Sequence, residues 1–397
     1  MNMRAVRAIV SLALVLLVSA CGGGEGNSTS FTAPNEQAVR VGPGPTNNVN
    51  LLLTTVQICT PGSQTQCQSI DHVLVDTGST GLRLLASRID PSLALPQQTD
   101  AVGRPLAECG QFVSGLTWGP IKRADIRIAQ ELAQSAPIQI IADPGFAAVP
   151  SSCSGLGGIL DSAQSLGANG VLGIGVFQHD CGTPCAQNVI PGTYYSCPVG
   201  GCQPTQASLA LQMQNPVALF PDNNNGFVID LPSVPLTGAS SVQGSLIFGI
   251  GTQGNNTPGT VQRIGLNPAS GTFSTRVNGV TYGNSFVDSG SNALYFSNSA
   301  IPACGSHPDF GCPASTLNFT ATMFGSGGSN ATFNFNVSNA ERLFSTNPTA
   351  FAFSTLAGPS SDTTAFDWGL PFFFGRRVFI GIEGQDTPLG TGPYIAF

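Results

Sequence analysis

Val73-Leu74-Val75-Asp76-Thr77-Gly78-Ser79-Thr80-Gly81-Leu82 is an apolar run that ends in an aspartate, a small hydroxyl residue, a glycine and a serine. The pattern returns 212 residues later as Phe286-Val287-Asp288-Ser289-Gly290-Ser291-Asn292-Ala293-Leu294. Each copy reads as a buried strand feeding a tight turn that presents one carboxylate. Gly78 and Gly290 permit backbone conformations that a Cβ would block. The hydroxyls beside each aspartate can hydrogen-bond and orient it. One Asp-x-Gly-Ser is ordinary turn chemistry. Two copies, each set between an apolar strand and another apolar stretch, point to a pair of carboxylates brought together.

The pair resembles the catalytic core of the pepsin-like aspartic proteases. That resemblance implies a mostly β, bilobal fold, with two β-barrel-like lobes around a central cleft. Each lobe would contribute one catalytic residue, Asp76 and Asp288, carried on the supporting turn residues Thr77, Gly78, Ser79, Ser289, Gly290 and Ser291. It runs in order from about residue 50 to residue 397 and implies neither a cofactor nor a metal.

Further segments carry it. Gln111-Phe112-Val113-Ser114-Gly115-Leu116-Thr117-Trp118-Gly119 leads into Ile121–Ile128, which alternates as a half-buried strand should. By order and spacing this is similar to the flap hairpin, with Phe112, Gly115 and Trp118 as its flap residues. Phe112 stands near the family's tyrosine and Arg83 where a tryptophan usually supports the flap. Asn169-Gly170-Val171-Leu172-Gly173-Ile174-Gly175 resembles the segment that packs beside the first catalytic turn. Trp368-Gly369-Leu370-Pro371-Phe372 resembles its counterpart in the second lobe, with Pro371 in the place of a glycine and Phe372 in that of an aspartate. Gly226–Leu231, Gly244–Gly249, Ala331–Val337 and Tyr394–Phe397 read as strands, and Ala207–Gln214 as one short helix.

Composition agrees with a β-rich chain. Its 397 residues exceed what one core comfortably holds, charged residues are only 9 %, and there are 49 glycines and 29 prolines. These favour short strands and turns over helices. The net charge of −7 and the single lysine, Lys122, leave no basic surface for phosphates, which argues against nucleic acid as a partner.

Arg4, Arg7 and the apolar run Ala8–Val18 form a targeting segment too short to favour a spanning helix. It closes on Val18-Ser19-Ala20-Cys21, which resembles a bacterial lipoprotein signal cleaved before a lipidated Cys21. The expected organisation is a signal peptide over residues 1–20, a flexible tether over 21–48, one lobe over 49–225 and a second over 226–397. A lipid anchor places the chain at the bacterial cell envelope, periplasmic or surface-exposed, with the outer membrane favoured because Gly22 rather than Asp follows Cys21. With both lobes in one chain, a monomer is expected.

Ten of the eleven cysteines remain after Cys21, an even number suited to an oxidising compartment. Cys59 and Cys67, Cys181 and Cys185, Cys197 and Cys202, and Cys304 and Cys312 are close enough for local bridges; Cys109 and Cys153 complete the set. A metal site is disfavoured, since the intervals are irregular and His72, His179 and His307 are not grouped as ligands. No Gly-x-Ser-x-Gly elbow occurs. The expected activity is endopeptidase hydrolysis with a water activated between Asp76 and Asp288, on a peptide or protein substrate. The alternative is a chain of the same fold that has lost catalysis and only binds peptides or envelope partners.

Overall fold

The computed structural model describes residues 33–397. The leader, Cys21 and the first part of the expected tether lie outside the described residues. The fold is mostly β, with 41 % strand, 10 % helix and barrel-like sheets. Among the described residues no helix is long and apolar enough to cross a membrane.

The first strand corrects the tether. β1, Glu36–Val41, buries Gln37, Val39 and Val41. It pairs along its whole length with the strand Val242–Phe248, from Glu36 opposite Ile247 to Val41 opposite Val242. Its other edge pairs with β2, Leu52–Cys59. Among polar neighbours the period-two pattern of this strand was hidden by Gln37, whose amide is satisfied by Thr54 Oγ1 at 3.1 Å and by the Ala129 N–H at 2.9 Å.

β2 runs antiparallel to β3, Cys67–Asp76, and the Cys59–Cys67 disulfide closes their hairpin. β4, Thr80–Leu85, leaves the Asp76 turn. β5, Leu106–Phe112, and β6, Gly115–Ile128, form a hairpin; β7, Glu131–Ile141, returns beside β6. β8, Gly170–Ile174, is inserted between β3 and β4, so every one of its residues is buried. A strand covered on both faces needs a continuous apolar run, which Val171-Leu172 and its small glycine neighbours supply.

The second half repeats the arrangement. β3 lies parallel to β8, β8 antiparallel to β4, and β4 parallel to β7. Likewise Val280–Val287 lies parallel to Phe366–Trp368, which is antiparallel to Leu294–Phe296, itself parallel to Ala357–Gly358. The core changes character between the halves. Around β3 it is aliphatic, with Val73, Val75, Leu82, Leu84 and Leu172. In the second half rings stack: Phe366 on Trp368 at 4.0 Å and Phe296 on Phe366 at 4.3 Å between centroids.

Register also corrects two expectations. Asp76 is level with Gly173, and Val287 with Trp368, which brings Gly369 level with Asp288. The second-half glycine is therefore Gly369, in place, and Pro371 instead is the middle residue of the 3-10 turn Leu370–Phe372. Ala207–Gln214 contains only the 3-10 turn Leu209–Leu211. Its backbone is claimed by tertiary partners, the Ala207 N–H by the Cys185 carbonyl and the Met213 N–H by the Tyr194 hydroxyl, so an i→i−4 ladder cannot form.

All ten candidate cysteines are bridged: Cys59–Cys67, Cys109–Cys153, Cys181–Cys185, Cys197–Cys202 and Cys304–Cys312. Within the large sheet, β1 stands between strands from both sides of residue 225. Removing residues through Gly42 therefore leaves two open strand edges. Such a truncation is expected to aggregate or lose cooperative thermal unfolding, and an unchanged midpoint would contradict the structural role of β1.

Candidate active site

The two aspartate turns meet. A Cβ built on Gly78 would lie 2.8 Å from Asp288 Cγ, and one built on Gly290 would lie 2.8 Å from Asp76 Oδ1. Only glycine at both positions lets each carboxyl sit against the opposite turn. Asp76 is buried, while Asp288 keeps part of its surface open to solvent.

Each carboxylate is held in the same way. The Gly78 N–H donates to Asp76 Oδ1 at 2.8 Å and the Ser79 hydroxyl to Oδ2 at 2.5 Å. The Gly290 N–H donates to Asp288 Oδ1 and the Ser291 hydroxyl to Oδ2, both at 2.8 Å. The hydroxyls directly after the aspartates do something else. Thr77 N–H donates to Ser289 Oγ at 3.2 Å, and Ser289 N–H to Thr77 Oγ1 at 2.9 Å. The Thr77 hydroxyl then donates to the Val287 carbonyl at 3.0 Å, and the Ser289 hydroxyl to the Val75 carbonyl at 2.7 Å. Thr77 and Ser289 thus orient the opposite turn rather than their own aspartate.

Burial, and the Asp76 and Asp367 carboxyls beside it, push Asp288 well above the ordinary carboxylate range. Two carboxyls this close cannot both ionise readily, which is the direction in which Asp288 is pushed. Asp367, on the strand beside Asp288, is pushed up to about 8, chiefly by burial.

The β5–β6 hairpin ends in Phe112-Val113-Ser114-Gly115, with Val113 fully exposed at the tip. Gly115 adopts φ +152°, and a Cβ there would strike the Gly158 carbonyl. Trp118 is buried; its indole N–H donates to the Phe146 carbonyl at 2.7 Å and its ring meets Tyr195 edge-on. It braces the hairpin against the Cys109–Cys153 cluster instead of pointing from the tip.

Arg83 supports the same hairpin. It is 4 % exposed, and its guanidinium forms a two-pronged pair with Glu108 on β5 while donating to the Thr80 carbonyl at 2.9 Å. Its charge also lies 5.6 Å from the centre of the Phe112 ring. Glu108, 1 % exposed, escaped the sequence reading. The signal was available: an arginine in the middle of an apolar strand requires a buried carboxylate on a neighbour. Beyond this pair, Asp180 accepts the Tyr194 hydroxyl, and burial together with Glu108 pushes it up to about 7.

Cys304, Cys312 and Glu341 offer atoms within 4.8 Å of one another, but the two sulfurs are bonded to each other and supply no thiolate for a metal.

The family described as protein of unknown function (DUF3443) matches residues 31–397. The chain belongs to that family. No curated protein matches it in sequence. In this DUF3443 chain, then, both aspartate turns and all the strands that carry them fall within the matched region.

Replacing Glu108 with alanine strands the Arg83 charge and is expected to cost about 3–5 kcal/mol in denaturant unfolding. Arg83→Met with Glu108→Leu should cost less than Glu108→Ala alone; a larger loss would show that the ion pair is not the issue. The raised carboxyls set a second expectation. Asp180 and Asp367 have folded values above their unfolded ones, so between about pH 4 and 8 the native state binds more protons and stability falls as pH rises. Asp180→Asn and Asp367→Asn should each flatten that slope, as followed by melting temperature across pH.

Proposed function

We propose that the DUF3443 chain is a pepsin-like aspartic endopeptidase with a bilobal fold, hydrolysing peptide bonds with a water activated between Asp76 and Asp288. The observation that carries this reading is the exchange of hydrogen bonds between the two turns, which sets the two carboxyls side by side. The repeated four-strand arrangement around each turn supports two lobes of common design.

In this reading the ionised member of the dyad takes a proton from water as the water attacks the peptide carbonyl, and the protonated member donates toward the carbonyl oxygen. Neither aspartate is permanently acid or base. Ser79 and Ser291 hold the outer oxygens, so the inner ones face the water. An extended peptide would lie beneath the Phe112 hairpin, held partly by main-chain hydrogen bonds as in strand addition. Lipidation at Cys21 would tether the enzyme to the cell envelope as a monomer.

The test is digestion of a random peptide library at several pH values by wild type, Asp76→Asn and Asp288→Asn. Each variant keeps the size of Asp and is expected to lose turnover by a factor of at least about 10³ with its melting temperature near that of wild type, since either change removes the shared proton. Activity should fall on the alkaline side as the last dyad proton leaves, and on the acid side once no carboxylate remains as base. A wild type that cleaves nothing at any pH yet retains peptides, as the Asn variants do, would make this a binding protein that keeps the fold without catalysis.

A further inference from the structure

A second concave site lies apart from the dyad. A cavity of about 280 Å³ forms where residues 47–50, Asn292, the loop holding His307 and Phe310, and the end of the helix Ala340–Thr346 come together. None of Asp76, Asp288, Ser79, Ser291 or the Phe112 hairpin lines it. One wall is fixed by Asn50, which is buried. Asn50 Oδ1 accepts the Phe353 N–H at 2.7 Å, and its Nδ2 donates to the Asn292 and Phe353 carbonyls, both at 2.8 Å. Its own N–H donates to the Phe351 carbonyl at 2.7 Å. The stretch just before β2, whose first residues were expected to belong to a tether, is thus pinned beside the second aspartate turn.

The lining combines two kinds of side chain and includes no Asp, Glu, Lys or Arg. One kind is amide: Asn47, Asn48, Asn292 and Asn347. The Tyr295 hydroxyl donates to Asn292 Oδ1 at 2.5 Å, which fixes that amide and leaves its Nδ2 without an acceptor among the described residues. Asn347 Nδ2 donates to Thr346 Oγ1 at 2.9 Å, and its Oδ1 has no donor among them. Asn47 and Asn48 are exposed at the rim. The other kind is aromatic. Phe310 and His307 both meet Phe344 edge-on, at 5.4 and 5.3 Å between centroids, and Phe351 adds a third phenyl ring. Uncharged donors and acceptors beside ring carbons suit a ligand with hydroxyls on its edge and C–H groups on its faces. An ion would lose water here without gaining an opposite charge. A purely apolar ligand would strip water from the amides. A flat base is best held between parallel rings, and these meet at 73° and 84°. The volume falls just under the roughly 300–1,000 Å³ of drug-sized sites, which is room for one ring rather than for a chain. We propose that this cavity binds one neutral hexopyranose ring, either as a free sugar or as the end of a glycan. The site does not depend on the dyad's being catalytic.

The test is ligand-observed NMR on the full chain, titrated with the methyl glycosides of glucose, galactose, mannose and N-acetylglucosamine, with a chitin trisaccharide, and with adenosine as the flat-base control. At least one methyl glycoside should bind saturably. Asn292→Ala removes a donor from the cavity and should weaken that binding about fivefold to tenfold, the weight of one hydrogen bond. Asn48→Trp places a bulky ring at the rim, disturbs no hydrogen bond that holds the fold, and should abolish binding at an unchanged melting temperature. If Asn292→Ala lowers the melting temperature, the Asn48→Trp result decides. A trisaccharide that binds as well as its monosaccharide makes the natural ligand the end of a glycan; one that fails where the monosaccharide binds makes it a free sugar. Three results would overturn the assignment: no saturable binding of any glycoside, glycoside binding that survives Asn48→Trp unchanged, or adenosine binding more tightly than every glycoside. Peptide cleavage is not read in this experiment, so its outcome stands whether or not the dyad is active.

Discussion

The structure depends on an exchange: Thr77 and Ser289 each give a backbone N–H to the other's hydroxyl, and each hydroxyl donates to the carbonyl that precedes the opposite aspartate. All four donors find partners away from water, and none of these bonds can be kept if one turn moves without the other. Bringing two carboxyls into contact under cover is unfavourable unless one holds a proton. The exchange supplies the rigid geometry that makes such sharing the stable outcome. It also explains the residue types. A hydroxyl is needed after each aspartate because it must accept from one backbone group and donate to another, and a glycine follows because the facing carboxyl occupies the space of its Cβ.

Outward from this centre, support is drawn from different chemistry in the two halves. In the first, a buried Arg83–Glu108 pair joins the strand leaving the Asp76 turn to the hairpin. A buried ion pair contributes less to stability than to the choice of a single arrangement, since each charge tolerates only its partner. In the second, stacked Phe296, Phe366 and Trp368 form the wall, and Trp368 donates its indole N–H to Thr275 Oγ1 at 3.0 Å. The same strand pattern is thus held by charge on one side and by rings on the other.

What could be read in the sequence was whatever is written locally. The aspartate turns, the β-rich class, the hairpin and the short cysteine loops each rest on a few adjacent residues. The alternation Gln37-Val39-Val41 was short and polar at its start, so it passed for a tether until its two neighbouring strands were seen. Glu108 lies in a strand with no local sign of its partner, Arg83. Asp367 carries no local sign of its place; only the register with Phe286 and Val287 shows that it sits where Val171 does. Trp118 lies on the hairpin with its ring against Tyr195, a contact that alternation along a strand cannot show, because it fixes faces and not which face a distant segment will cover.

β1 has a consequence for how the chain reaches its native state. One edge of it pairs with Val242–Phe248, some 200 residues later in the sequence, so that edge of an early-made strand must wait for a late-made partner while the other is held by β2 at its Arg40–Val41 end alone. Contacts this remote close slowly because chain entropy opposes them until they form. During synthesis or export the first half can assemble β1 to β8 and still lack Val242–Phe248, the strand that covers its border. The exposed edge of β1 is then a place where two incomplete chains can pair with each other. Folding in dilute surroundings, or behind a chaperone that covers that edge, is accordingly favoured by the order of the strands alone.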